Sequence, residues 1–411
     1  MSKQCIVTFI VLISAISCFP LFSMVFDNRF IPLLERPRLR PEGLSSSFAI
    51  DYFVATASKA LNDDEKEIGI PELESRFDLN EFAEAVEKTG KPNPLRSDFQ
   101  GGEIPYIVDG RIQAQAFSFF YHQKLSRYFS TGASWLFMRV NTRQQFKLNV
   151  VKTNLFLGPG DEQELEETRR QTFNEVGLIQ NHTAQLGFGD IDLYLRFGRM
   201  WDYQVKSRRV DAGLRLGVLI PSGLSRELSS PASIPFGGDG HWGFYVSADV
   251  LLELREDIKA GMFFRVSKRF PKTRMQRISV NGEPSIFGAL VDELCVDPGP
   301  TVLFSPFFAL EDLRKGFGIS IHYTLTSHQE DSIKDRRKDK TIPIVLSQMR
   351  KASEWGSDYF TINVFYDFGK AKMQRSFDPV LSLRWDVPSM LFITNRVPKT
   401  HKISLGVEFA F

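Results

Sequence analysis

The chain has 411 residues, of which 51 are Lys or Arg and 49 are Asp or Glu, for a formal net charge of +2. So even a balance, with no concentrated basic face, excludes a nucleic-acid partner. Of the cysteines only Cys295 lies outside the N-terminal apolar run, so a chain exported into an oxidising compartment has no intrachain disulfide to rely on.

Lys3 precedes an apolar run from Cys5 to Phe22, which reads as a secretory signal peptide over residues 1–23, cut after Ser23. Two other readings compete with it. The run is barely long enough to be a transmembrane anchor, and Ala15-Ile16-Ser17-Cys18 partly fits a lipoprotein site cut before Cys18. Residues 24–43 form a tail in which Phe26 to Pro41 is rich in Pro and Arg. Beyond the signal no apolar stretch approaches the length of a membrane helix, and no linker or repeat divides the chain.

Twelve alternating segments follow, each of the length that a β-strand needs to cross a bilayer. They are Leu44–Ser58, Gly110–Lys124, Tyr128–Asn141, Gly187–Gly198, Arg208–Ile220, His241–Leu254, Ile258–Phe270, Pro300–Leu310, Gly316–Ser327, Asp358–Gly369, Phe377–Val387 and Thr400–Phe411. The joins after the even segments are short: Leu125–Arg127, Arg199–Ser207, Arg255–Asp257, Glu311–Lys315 and Lys370–Ser376. Those after the odd segments are long, on the order of ten to fifty residues, near 59–109, 142–186, 221–240, 271–299 and 328–357. Short periplasmic turns and long outer loops place both chain ends on the periplasmic side.

Side chains on a strand alternate between faces. On the fourth and fifth segments Ile191, Leu193, Leu195, Phe197, Val210, Ala212, Leu214 and Leu216 take one face. Asp190, Asp192, Arg196, Arg209, Asp211 and Arg215 take the other. An antiparallel register with Arg196 beside Asp211 also sets Asp192 beside Arg215. The same parity turns Asp249, Glu253, Lys259 and Arg265 inward on the sixth and seventh segments, and Asp367 and Arg384 on the tenth and eleventh. Gln113 and Gln115 share a parity with Phe117, Phe119 and Tyr121, which predicts a bulge midway along the second segment.

The loops carry the helical signals. Asp78-Leu79-Asn80-Glu81 matches a capping box, with Gly90 as the stop, and Asp161–Asn174 is a second candidate. Such a loop either folds into the mouth as a constriction or lies over it as a solvated lid, and the tail is placed to enter from the periplasm. The basic run Lys334–Lys340 fits either a solvated loop or a contact with lipopolysaccharide phosphates. Gly237-Gly238-Asp239-Gly240 reads as a tight turn ahead of phosphate or calcium binding.

The last segment alternates to the final residue: Ile403, Leu405, Val407, Phe409 and Phe411 on one face, Ser404, Gly406, Glu408 and Ala410 on the other. A chain ending on such a strand resembles bacterial outer-membrane β-barrels, in which the terminal aromatic, here Phe409 and Phe411, belongs to the signal recognised by the barrel-assembly machinery. Closure then pairs this strand with Leu44–Ser58 and points Glu408 into the same lumen as Asp51.

A narrower resemblance lies in Gly187-Phe188-Gly189-Asp190-Ile191 and in Gly213 to Gly223, with Leu219-Ile220-Pro221-Ser222-Gly223 at its end. Over about a fifth of the chain these are similar to the paired glycine-rich strands of the transporter-like outer-membrane family grouped with the MetA pathway of phenol degradation. The resemblance implies a barrel of about twelve strands that passes small hydrophobic or aromatic compounds.

The fold expected is therefore all-β: a transmembrane antiparallel up-and-down barrel, spanning residues 44–411, in the bacterial outer membrane. The function expected is a channel or transporter for small solutes, lined by the inward charges named above, with outer-membrane lipids and lipopolysaccharide around it. Two alternatives stand beside it: a non-conducting barrel acting through its loops, and a lipid-processing enzyme. The enzyme lacks a signal, since no His-x-Ser occurs. The histidines show no metal-ligand spacing, so neither metal nor cofactor is expected.

Overall fold

The computed structural model describes residues 28–35, 45–178, 181–202, 207–371 and 378–411; the expected signal peptide lies outside them. Twelve barrel strands are found among the described residues. They are β1 (Ser47–Ala57), β2 (Pro105–Lys124), β3 (Phe129–Leu148), β4 (His182–Phe188 and Ile191–Asp202, interrupted at Gly189 and Asp190), β5 (Arg209–Ile220) and β6 (Gly243–Glu253). The second half comprises β7 (Ile258–Arg269), β8 (Thr301–Arg314), β9 (Phe317–His328), β10 (Trp355–Asp367), β11 (Asp378–Pro388) and β12 (His401–Ala410).

Each pairs antiparallel with its neighbour in sequence, and β12 returns to β1 in an unbroken register from Ser47↔Ala410 to Thr56↔His401. Beyond the strand ends, Ser46 and Phe411 exchange backbone hydrogen bonds at 3.0 and 2.9 Å. The sheet has no free edge among its barrel strands, which is what hydrocarbon requires of backbone N–H and C=O groups.

Polarity is inverted relative to a water-soluble domain. Phe197, Leu214, Leu216, Leu383, Ile403 and Leu405 are each about half exposed on the outer wall, while Asp192, Arg196, Asp211, Asp249, Arg265 and Lys402 are buried inside. The alternation that produces this is the one legible in the sequence, and it needs no helix: none among the described residues is long and apolar enough to cross a membrane.

The bulge expected in β2 is absent. β2 and β3 pair without interruption from Tyr106↔Leu148 to Lys124↔Ser130. Gln113 and Gln115 do share the outward face with Phe117, and so do Arg139 and Arg143 on β3. The phase never shifts; at 20 residues each these two strands outrun the roughly ten that a bilayer crossing takes, and their outward residues turn polar where the hairpin projects beyond it.

Helix α1 (Leu79–Lys88) starts where the capping box predicts, the Asp78 carboxylate accepting from the N–H groups of Asn80 and Glu81. It packs with α2 (Asp161–Glu175) around Phe77, whose ring lies 5.2–5.9 Å from those of Phe82, Tyr106, Phe146, Phe173 and Phe287. These helices form a lid core on the projecting hairpin. The loop that reaches the barrel interior is instead the one after β5, through Ile234 and Phe236. A small outer sheet joins Lys272–Ile278, Leu290–Asp297 and Ser332–Asp335. Beside it Arg337 of the basic run folds back on Asp335 at 3.1 Å, leaving Lys334, Lys338 and Lys340 exposed.

Gly406 sits in the closing seam opposite Asp51. A Cβ there would run into the Asp51 carboxylate and lie 2.6 Å from Ser382 Oγ. Gly406→Val is expected to destabilise the folded barrel by about 1–3 kcal/mol, the cost of overpacking a tight site. Heat-modifiable migration on gels over a denaturant series checks it; an unshifted midpoint would mean that the seam tolerates side chains.

Candidate functional site: the barrel interior

Strands β4 to β7 bring their inward charges into one network. The Arg196 guanidinium, 3% exposed, bridges Asp211 at 2.9 Å and Asp249 at 2.7 Å. Arg215 reaches Asp249 at 3.4 Å and lies over the Tyr194 ring at 4.7 Å. Asp192 accepts from Tyr245 Oη at 2.7 Å and pairs with Arg265 at 3.0 Å. Toward the short turns, Arg209 pairs with Glu253 at 3.4 Å, and Lys259 pairs with Glu311 at 2.7 Å. Across the seam, Arg384 lies 3.6 Å from Asp51 and 3.7 Å from Asp386, which Lys402 holds at 2.9 Å.

These side chains lie on the inner face, Arg209 half-buried, but not in the expected register. Arg196 stands directly opposite Arg215, and Asp192 opposite Leu219. The correction has a geometric cause. Arg side chains reach diagonally across strands, so Arg196 finds Asp211 four pairs along the ladder and Asp249 beyond β5, while Asp192 takes Arg265 from β7 in place of Arg215. Directly opposed like charges are tolerated because each is neutralised by carboxylates on other strands. Gly213 makes room for this: a Cβ there would meet the Arg196 guanidinium.

At the ends of the lumen the arrangement loosens. Asp367 caps the β10–β11 turn, accepting from Gly369 N at 2.9 Å, and half-buried Glu408 stands opposite Ala49 near the periplasmic rim. Asp190 sits at the break in β4, fully buried, taking the N–H of Gly223 at 3.0 Å and of Gly238 at 2.7 Å and pairing with Arg269 at 2.9 Å. It ties together the two glycine-rich stretches noted in the sequence. Gly238 and Asp239 form a turn, with His241 N donating to Gly238 O. Burial would raise the Asp239 carboxyl, but the hydrogen bond and charge of Arg274 hold it below the usual carboxylate range.

Glu311, Asp386 and Lys402 complete the network. Their parity gave them away only in part, because β8 runs to Arg314 and carries Glu311 inside the strand, where a turn residue was expected. On the opposite side, β1 to β3 present an apolar patch midway along the interior, where Phe53, Ala55, Ile112, Ala114, Leu136 and Met138 are buried, while nearer the short turns the same strands turn Asp51, Ser118, His122 and Ser134 inward.

Against that wall lies the tail. Phe30, Ile31 and Leu33 pack into the same cluster with Ile234 and Phe236. Thr400 Oγ1 donates to Phe30 O at 2.7 Å, Lys402 Nζ to Pro32 O at 2.6 Å, and Glu35 pairs with Arg215 at 3.2 Å. Asn28 Nδ2 donates to Pro235 O and Arg29 to Ala352 O in the outer loops. Residues 28–35 therefore run from the outer mouth down to mid-barrel. Beside Arg29 and Phe30 a cavity of about 240 Å³ opens among the loops, lined also by Arg226, His241, Arg269, Arg274 and Trp355.

A closed ladder with an apolar exterior and a charged, peptide-filled interior has one stable setting. The chain is a bacterial outer-membrane β-barrel. No protein-family model and no curated protein matches it. Among solved structures, an outer-membrane channel from Pseudomonas putida F1 is similar over 92% of this chain and 100% of its own, at 10% identity and a TM-score of 0.49. A FadL homologue from Pseudomonas aeruginosa is similar over 96% and 98%, at 7% identity and a TM-score of 0.33. A mutant of the TodX monoaromatic hydrocarbon channel is similar over 89% and 90%, at 8% identity and a TM-score of 0.34. Among the described residues no three His, Cys, Asp or Glu side chains are grouped to hold a metal ion.

Removing Arg196 takes from Asp211 the guanidinium it shares with Asp249, which still has Arg215 at 3.4 Å. Arg196→Met is expected to destabilise the barrel by about 3–5 kcal/mol. Adding Asp211→Asn to it should recover part of that loss, as read by denaturant unfolding in detergent or lipid. Equal midpoints for the single variant and the unsubstituted protein would show the network to be energetically neutral.

Proposed function

We propose that the protein is an outer-membrane channel for small solutes, held closed in this state by its own N-terminal segment. One observation carries the reading: the centre of the barrel is occupied by residues 28–35, a length of polypeptide, and not by side chains of the wall alone. A space that accommodates a peptide accommodates a small solute once the peptide moves. The segment is held by a handful of polar contacts and one apolar cluster.

The two halves of the interior bear on what passes. The wall of β4 to β12 carries paired charges of both signs, which gives little net preference for ion sign. Midway along β1 to β3 the wall is apolar and covered by Phe30, Ile31 and Leu33, so withdrawal of the tail uncovers a hydrophobic patch there. Small hydrophobic or aromatic compounds are the solutes that would gain from such a patch. The lumen charges Asp51, Asp192, Arg196, Asp211, Arg215, Asp249, Arg265 and Arg384 act in this reading as its polar lining.

Planar-bilayer recording tests it. The unsubstituted protein is expected to conduct in rare, brief openings. Deleting residues 24–35, or combining Glu35→Gln with Lys402→Met to loosen the tail in an intact chain, should raise open time several-fold with no strong preference between cations and anions. If all forms insert and none conducts, the barrel is structural and its outer loops are the functional part.

A further inference from the structure

The outward face of the projecting β2–β3 hairpin carries four cations and a single acid, Asp109, which Lys59 holds. Arg111 on β2 and Arg139, Arg143 and Lys147 on β3 are exposed. None of the four makes an ion pair among the described residues, whereas nearby Lys59 is paired with Asp109 at 2.8 Å. Arg111 stands directly opposite Arg143, a like-charge pairing that disfavours the strand contact unless something bridges it. His182 of β4 is the next residue in the same row, again exposed.

Position sharpens this. Immediately toward the bilayer on the same face lie Phe117, Phe137 and Leu186; Phe117 and Leu186 are 46% and 61% exposed. Arg139 is paired across strands with Gln115 on one side and Leu186 on the other, at the boundary where the outward surface changes from apolar to cationic. With about 3.4 Å of rise per residue, Arg139, Arg143 and Lys147 are spaced about 14 Å apart along β3. The long loops mark this end of the barrel as the outer one. The surface is an apolar floor with a ladder of guanidinium groups above it, on the side of the membrane that faces out.

We propose that this face binds lipopolysaccharide, its phosphates held by Arg111, Arg139 and Arg143 and its acyl chains lying on Leu186, Phe117 and Phe137. The proposal rests on the outer-membrane location and is independent of whether the barrel conducts. Guanidinium groups suit the task because their forked donors match phosphate oxygens two at a time. A bound phosphate also relieves the Arg111–Arg143 repulsion, coupling lipid binding to the stability of the longest hairpin. It assigns the lipopolysaccharide contact to the barrel wall and leaves the Lys334–Lys340 run with the other of its two sequence readings, a solvated loop.

The test uses the mature protein in detergent, titrated with bisphosphorylated lipid A and with the same lipid stripped of its phosphates, binding being read by native mass spectrometry and thermal midpoint. The unsubstituted protein is expected to bind the phosphorylated lipid about tenfold or more tightly than the stripped one and to gain thermal stability from it. Arg111→Gln with Arg143→Gln should lose that preference and that gain. Without lipid the double variant should melt no lower than the unsubstituted protein, which separates lost binding from lost folding. Lys334→Gln with Lys338→Gln and Lys340→Gln should leave binding unchanged. The proposal is overturned by equal binding of both lipids, by full retention in the arginine variant, by loss in the loop variant, or by excess inorganic phosphate displacing the lipid, which would mark a site for free anions.

Discussion

The seam between β1 and β12 is the constraint on which everything else depends. In hydrocarbon an unpaired backbone N–H or C=O has no water to turn to, at several kcal/mol for each group, so a sheet that faces lipid must close. Closure fixes the strand number as even, once both ends of the chain approach from the same side, and it fixes which residues point inward on all the other strands. The register Ser47↔Ala410 through Thr56↔His401 is thus a boundary condition for the whole molecule. Small residues on the seam's inner face, Gly406 and Ser404 against Asp51 and Phe53, let the two ends of the sheet approach without crowding the lumen.

Closure also creates the electrostatic problem that the interior solves. Alternation sends every second residue inside, and in a barrel this narrow those residues are remote from bulk water. Isolated charges there would be costly, and the solution is a mesh of ion pairs in which a guanidinium can bridge carboxylates on different strands, as Arg196 does for Asp211 and Asp249. Such a mesh ties non-adjacent strands together through the lumen, which ladder hydrogen bonds between neighbours cannot do. Arg215 extends it to Glu35, so the tail is wired into the same mesh as the wall.

Much of this was legible in the residues because a period of two is a strong signal when it recurs twelve times. The strands, their facing, the alternation of short and long joins and the first helix follow from Asp78, Gly406 and their like by local rules. What was not legible needed information that no local pattern contains. The register of β4 against β5 does not follow from opposite charges, because direct opposition is the wrong rule for long side chains and Arg196 reaches past its facing residue. The shared parity of Gln115 and Phe117 predicts a bulge in β2, and none forms because the strand outruns the membrane, so that its outward face turns polar without a change of phase. The tail has no periodicity at all; Phe30 and Leu33 are inside because the apolar wall of β1 to β3 exists, and that wall is assembled only in three dimensions.

The tail has a consequence for the order of events in making this molecule. Residues 28–35 lie within a ring of strands that is sealed by hydrogen bonds along its whole height, and the segment belongs to the same chain as β1, one of the two strands that form the seal. Either the tail is already on the concave side of the curling sheet when β12 docks on β1, or it threads afterwards through a finished lumen already crossed by its ion pairs. The first route costs nothing extra if apolar Phe30 and Leu33 have settled against β1 to β3 while the sheet is still open. The plug would then be a template as well as a stopper, giving the first three strands an apolar surface to wrap before the remaining nine arrive.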